Sequence, residues 1–131
     1  MATALLDTSV LVDLAEPAVL AALPNDVAVS TVSLAELAAG PTLATNALER
    51  ARRIARLQEV EALFAPIDFD RSAARSYGIV VAAIARSGRT HRSRVADLLI
   101  AATAHARGFD LCTRNGSDFA GLRGLVPIVV V

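Results

Sequence analysis

Short apolar runs alternate with longer amphipathic stretches along this chain. Ala4-Leu5-Leu6 is the first such run, and residues 3–6 are predicted as a strand closed by Asp7. A helix follows almost at once, from Ser9 to Ala15, and a short one begins near Pro17, where proline suits a first turn. Val27-Ala28-Val29-Ser30 predicts a second strand. Ser33 is placed to cap the next helix, with Glu36 at capping-box spacing, and Gly40-Pro41 is expected to end it. Residues 43–62 form an amphipathic helix with Leu48, Ala51, Ala55 and Leu57 on its dry side and arginines on its wet side. Phe64-Ala65-Pro66-Ile67 reads as a third short strand, its proline pointing to an edge or an end.

Asp70 opens a helix that runs to about Ser87 and is closed by Gly88. Ser93 is expected to cap another, from Arg94 to about Ala106, closed by Gly108. Leu111-Cys112-Thr113 and Ile128-Val129-Val130 complete the strands. Strands alternating with helices through short connections predict an α/β protein with a parallel sheet covered on both faces. The strand order expected is 3-2-1-4-5, and residues 1–131 form a single domain.

Composition narrows the class. The chain is 54% hydrophobic, which argues against disorder. Its single cysteine, Cys112, excludes a disulfide scaffold and a cysteine-based zinc cluster, and its apolar neighbours predict a buried thiol. The N-terminus lacks a basic segment and its apolar run is broken by Asp7, so no signal peptide is expected. No apolar run approaches the ~18 residues of a membrane span. A soluble, cytoplasmic protein is the expectation. Net charge is zero, yet all thirteen positive residues are arginine, and they cluster at Arg50–Arg56 and again at Arg86, Arg89, Arg92 and Arg94.

Four acids change the picture: Asp7, Glu36, Asp97 and Asp118. Open parallel sheets bind ligands beyond the carboxyl ends of their strands. Asp7, Glu36 and Asp118 each follow a predicted strand there. Asp97 has Ile100 and Ala101 at the next turn of its helix, which puts it on an apolar face. A lone buried carboxylate is costly, so it needs a cation, donors or its proton. Taken singly, each acid has a plainer reading: Asp7 caps its helix, Asp97 pairs with Arg94, and Asn115 or Asp118 caps a short helix. Taken together, converging carboxylates suit a hard dication, Mg²⁺ or Mn²⁺, which prefers oxygen ligands. Such an ion can polarise a phosphodiester and activate a water. Thr8, Ser9, Thr113 and Asn115 sit where they can orient water or phosphate. Arg86, Arg89, Arg92 and Arg94 form a candidate strip for a nucleic-acid backbone, or a solvated charge run. Aromatics make up only 4% of the chain, which disfavours base stacking as the main binding mode.

Four blocks now form a pattern: Leu5-Leu6-Asp7-Thr8-Ser9; Ser30 to Leu37; Asp97-Leu98-Leu99-Ile100-Ala101-Ala102-Thr103-Ala104; and Thr113-Arg114-Asn115-Gly116-Ser117-Asp118-Phe119. In this order they resemble the PIN domain, and most nearly the VapC-type toxins of prokaryotic toxin–antitoxin pairs. The resemblance implies a three-layer α/β/α sandwich around a mainly parallel sheet, and a Mg²⁺- or Mn²⁺-dependent endoribonuclease. It assigns Asp7, Glu36 and Asp97 as metal-binding acids and Asp118 as the fourth, although some relatives carry that acid where this chain has Asn115. It also implies a homodimer and a cognate antitoxin whose C-terminal segment lies over the active site, in several systems with an arginine among the acids. Leu48, Ile54 and Leu57 offer an apolar face for either partner, or for the core. The RNA cut is tRNA, ribosomal RNA or mRNA.

Two other enzyme classes fit poorly. A haloacid-dehalogenase-like phosphatase requires a second acid two residues after the first, where this chain has Ser9, and a receiver domain requires a lysine, of which there is none. The remaining alternative is a non-enzymatic protein-binding module of the same fold, indifferent to divalent metal and to loss of Asp97.

Overall fold

The computed structural model describes residues 2–131, the side chain of Ser93 excepted. Four strands, β1 (Ala4–Leu6), β2 (Val27–Val29), β3 (Asp110–Thr113) and β4 (Ile128–Val130), pair in parallel in the order β2-β1-β3-β4. The register sets Ala4 against Val27 and Asp110, and Leu6 against Val29 and Cys112. The expected third strand is reduced to one parallel bridge, Ser30 to Ile67, at the β2 edge. Pro66 has no N–H to give a ladder, so only Ile67 pairs, donating to Val29 O at 2.8 Å and accepting from Thr31 N at 2.9 Å. The sheet is therefore four-stranded, with that segment as a fringe.

Alternation along the strands builds two dry layers. Leu5 and Leu111 face one side, where they meet Val80 and Ile84 of α5 (Arg71–Arg86) and Leu98, Ile100, Ala101 and Ala104 of α6 (Val95–Arg107). Ala4, Leu6 and Cys112 face the other. There they meet Val10 and Leu11 of α1 (Thr8–Val12), Val19 of α2 (Pro17–Ala22), Leu37 of α3 (Thr31–Leu43) and Val60 of α4 (Ala47–Leu63). Each fully buried leucine or isoleucine contributes about 1.5–3 kcal/mol. The product is an α/β sandwich whose β1 and β3 lie at its centre.

Helix ends follow side-chain chemistry, not always as expected. Asp70 and Asn46 cap α5 and α4, accepting from Ala73 N (2.9 Å) and Glu49 N (2.8 Å). Gly88 and Gly108 take positive φ just past α5 and α6, as glycine allows. For α3 the cap is Ser30, which accepts from Ser33 N at 3.1 Å; Ser33 is buried inside the first turn. The capping box at Ser33 and Glu36 is thus not formed, and Glu36 faces outward one turn further on. Nor does Gly40-Pro41 stop α3, which continues to Leu43. Pro41 has no N–H for Leu37 O, the carbonyl one turn back, yet the helix continues; Gly40 O, among the last carbonyls of α3, accepts from Arg53 of α4 at 2.8 Å. Arg94 stands before α6 without a side-chain cap bond, after a 3₁₀ turn at Arg92–Arg94. The cap expected of Ser93 lies outside the described residues. Among the described residues, no helix is long and apolar enough to cross a membrane.

Candidate active site

Asp7 ends β1 at the centre of the sheet, with its N–H on Cys112 O at 2.9 Å. Its residue is 4% exposed, and its carboxylate is held on both oxygens. Ser9 Oγ donates to Oδ1 at 2.5 Å, and Thr113 Oγ1, from the end of β3, donates to Oδ2 at 2.7 Å. Asp7 also caps α1, accepting from Val10 N at 3.3 Å, so neither Thr8 nor Ser9 takes that role. Burial pushes the Asp7 carboxyl up from the usual carboxylate range, and the bonds from Ser9, Thr113 and Val10 pull it back down. The hydroxyls of Ser9 and Thr113 are thus committed to Asp7.

The acids come together around Asp97, in the first turn of α6. Burial raises its pKa to about 6, and the negative charges of Asp7, Asp118 and Glu36, in that order, raise it with burial; Arg94 opposes them. Glu36 projects from α3 beside Ser33, and both meet Thr8: its hydroxyl donates to Glu36 Oε1 and lies 3.4 Å from Ser33 Oγ. Asp118 sits on the 3₁₀ stretch Gly116–Leu122 that follows β3, where Arg94 reaches its carbonyl and stands 4.0 Å from its carboxylate. Asn115 precedes that stretch without a side-chain cap bond; its N–H donates to Thr113 Oγ1 at 3.0 Å. Among the described residues, no group of three or more His, Cys, Asp or Glu side chains forms a ready-made cage for one ion. The four acids share a field, but Asp7, Glu36 and Asp118 are each turned to protein partners.

The arginines divide. Arg94 and Arg89 hold the Asp118 stretch, Arg89 through Ser117 O at 3.4 Å; Arg86, Arg89 and Arg92 are exposed and Arg94 is partly buried. Beside Glu36 and Thr8, a cleft of about 750 Å³ runs between α3 and α4, lined by Leu37, Leu43, Arg52 and Arg56 among others. Leu48 and Ile54 of α4 are exposed, at 62% and 40%, while Leu57 packs on the core. Cys112 is fully buried, with its thiol pushed up to about 11 by burial and then by Asp7, as its apolar setting predicts.

A family model described as the PIN domain matches residues 4–125. The chain belongs to the PIN-domain family. This PIN domain is 37% identical to "Ribonuclease VapC5" of Mycobacterium tuberculosis, over 99% of its own length and 95% of that protein. Its fold superposes with a TM-score of 0.86 and 37% identity on a chain in the crystal structure of a member of the VapBC family of toxin–antitoxin systems, VapBC-5, from the same organism, covering all of both chains. The crystal structure of FitAcB from Neisseria gonorrhoeae matches with a TM-score of 0.74 at 31% identity, over 95% of each chain. The PIN domain thus belongs with VapC-type proteins.

Sequence patterns did not single out Arg114. Its backbone N–H donates to Ser9 Oγ at 3.0 Å, and its guanidinium meets Asp13 and Glu16, roughly a hundred positions earlier in the chain. A contact that distant leaves no periodic trace in a single sequence.

Proposed function

We propose that this chain is a Mg²⁺-dependent endoribonuclease, with Mn²⁺ a possible substitute, and the toxin of a type II toxin–antitoxin pair. The observation that carries this reading is the convergence of Asp7, Glu36 and Asp118 on the field of Asp97, in a chain that aligns along nearly its whole length with a ribonuclease. The donor set fits a hard dication: every candidate is a carboxylate oxygen, and burial, followed by the charges of Asp7, Asp118 and Glu36, holds the Asp97 pKa at about 6.

Asp7, Glu36, Asp97 and Asp118 would hold the ion. When bound, it supplies charge that polarises a phosphodiester and activates water. Ser9 and Thr113 fix the rotamer of Asp7, and Thr8 fixes Glu36, so that a cation would meet preset oxygens. A carboxylate of this set accepts the proton of the attacking water. Asn115 supports Thr113, and the exposed Arg86, Arg89 and Arg92, with the partly buried Arg94, are the candidates for phosphate contact.

A cognate antitoxin is the proposed protein partner. The cleft between α3 and α4 leads to Glu36 past Leu37 and Leu43, and Leu48 and Ile54 are exposed apolar side chains elsewhere on α4. A homodimer and a cytoplasmic site of action complete the proposal, with residues 1–131 as one nuclease unit.

Cleavage-end mapping of total cellular RNA tests the activity. Discrete new ends are expected with Mg²⁺ present and none with the metal chelated. Equal cleavage in both, or none in either, would overturn the reading; an inert chain would point to the protein-binding alternative.

A further inference from the structure

The turn after β3 is tied across the sheet by one residue. Arg114 Nη1 lies 2.5 Å from Asp13 Oδ2 and 3.1 Å from Glu16 Oε2, so a single nitrogen bridges two carboxylates. Asp13 ends α1 and Glu16 begins α2 without using its side chain as a cap, which leaves that carboxylate for Arg114. Hydrogen bonding to Asp13 is the main reason the guanidinium is held charged even more firmly than usual. The opposite end of the same residue acts on the active site. Arg114 N donates to Ser9 Oγ at 3.0 Å, and Asn115 N donates to Thr113 Oγ1 at 3.0 Å.

Each hydroxyl therefore accepts from a backbone N–H and turns its own hydrogen toward Asp7. An exposed ion pair by itself adds little to stability. A pair that fixes the turn aiming two donors at a metal-binding acid acts on something else, because outer partners orient ligands and tune affinity.

We propose that Arg114 is a positioning residue: by clamping the turn after β3 to Asp13 and Glu16, it presets the Ser9 and Thr113 hydroxyls on Asp7 and so raises the affinity of the site for a hard divalent cation. The inference rests on the metal-dependent reading of the acids. It makes Arg114 neither a metal ligand nor a phosphate contact.

The test is Mn²⁺ titration followed by thermal shift on the purified chain, without RNA, for the parent, R114Q, R114K and D13N. R114Q is expected to need about ten-fold more Mn²⁺ for half of the shift. D13N, which leaves Glu16 in place, should fall between, and R114K should recover part of the loss. The KM for RNA and its salt dependence should stay at parental values. Parental Mn²⁺ response in R114Q would overturn the inference, and so would a raised KM with a parental Mn²⁺ response, which would make Arg114 a phosphate contact. Should R114Q fail to fold, D13N and R114K decide on the same criteria. A parent that shows no Mn²⁺ shift would remove the metal reading itself, and this inference with it.

Discussion

Replacing Asp97 with asparagine is expected to stabilise the metal-free protein at neutral pH while abolishing RNA cleavage. Asparagine keeps the volume and removes the charge that burial, and then Asp7, Asp118 and Glu36, oppose. The Asp97 pKa rises from 3.8 to about 6, so the folded state holds its proton more tightly than the unfolded chain. Between those two values the native protein binds more protons, and stability falls as pH rises through that window. Above it the cost is complete. At 1.36 kcal/mol per unit, the full shift corresponds to about 3 kcal/mol. Asp97 is only half-buried, so solvent screening brings this to about 1–2 kcal/mol.

Urea unfolding in chelator, at pH 4 and at pH 7.5, measures it. D97N should unfold at a urea midpoint about 0.5–1 M above the parent at pH 7.5, with the difference shrinking toward zero at pH 4. Adding Mg²⁺ should raise the parental midpoint and leave D97N almost unmoved. A D97N protein no more stable than the parent at pH 7.5, or a gap that ignores pH, would refute the claim that burial and the neighbouring acids disfavour the Asp97 carboxylate. Loss of function with gain of stability is the signature of a site held under strain for its chemistry.

Arg94 opposes the rise at Asp97, so R94Q should move Asp97 ionisation above about 6 and carry the acid limb of the pH–rate profile upward with it; an unmoved limb would contradict this. G121A should lose about 1–3 kcal/mol in thermal unfolding, because a Cβ there would meet Ser87 Oγ at 2.7 Å and Ile84 Cδ1 at 3.2 Å. G124A is its control: no atom lies within 4 Å of that Cβ, so a change within about 0.5 kcal/mol is expected.

Local chemistry made much of this fold legible. Asp70 with Gly88, and Gly108 past α6, mark helix ends by rules that act within a few residues. The runs at Ala4–Leu6 and Leu111–Thr113 fall in the two central strands. What escaped depends on tertiary partners. A long-range donor, Arg53, satisfies Gly40 O near the end of α3, a partner no local pattern marks. Ser30 and Ser33 are both competent caps in sequence, and burial of Ser33 beside Thr8 decides between them. Pro66 signalled an edge, but not that the segment would shrink to a single bridge. At the site, Thr8, Ser9 and Thr113 were legible as hydroxyls near acids. Their commitment to Glu36 and Asp7 appears only when β1, α1, α3 and β3 meet. Arg114 joins residues at the two ends of the chain and carries no local mark at all.

Isothermal titration of Mn²⁺ into the purified, chelator-stripped chain tests the central claim most directly, with D7N and D97N in parallel. Saturable binding to the parent is expected, with protons released near pH 6 as Asp97 gives up its own, and both variants should bind far more weakly. A parent that takes up no Mn²⁺, or variants that bind as tightly as the parent, would contradict the account of these four acids as one cation site.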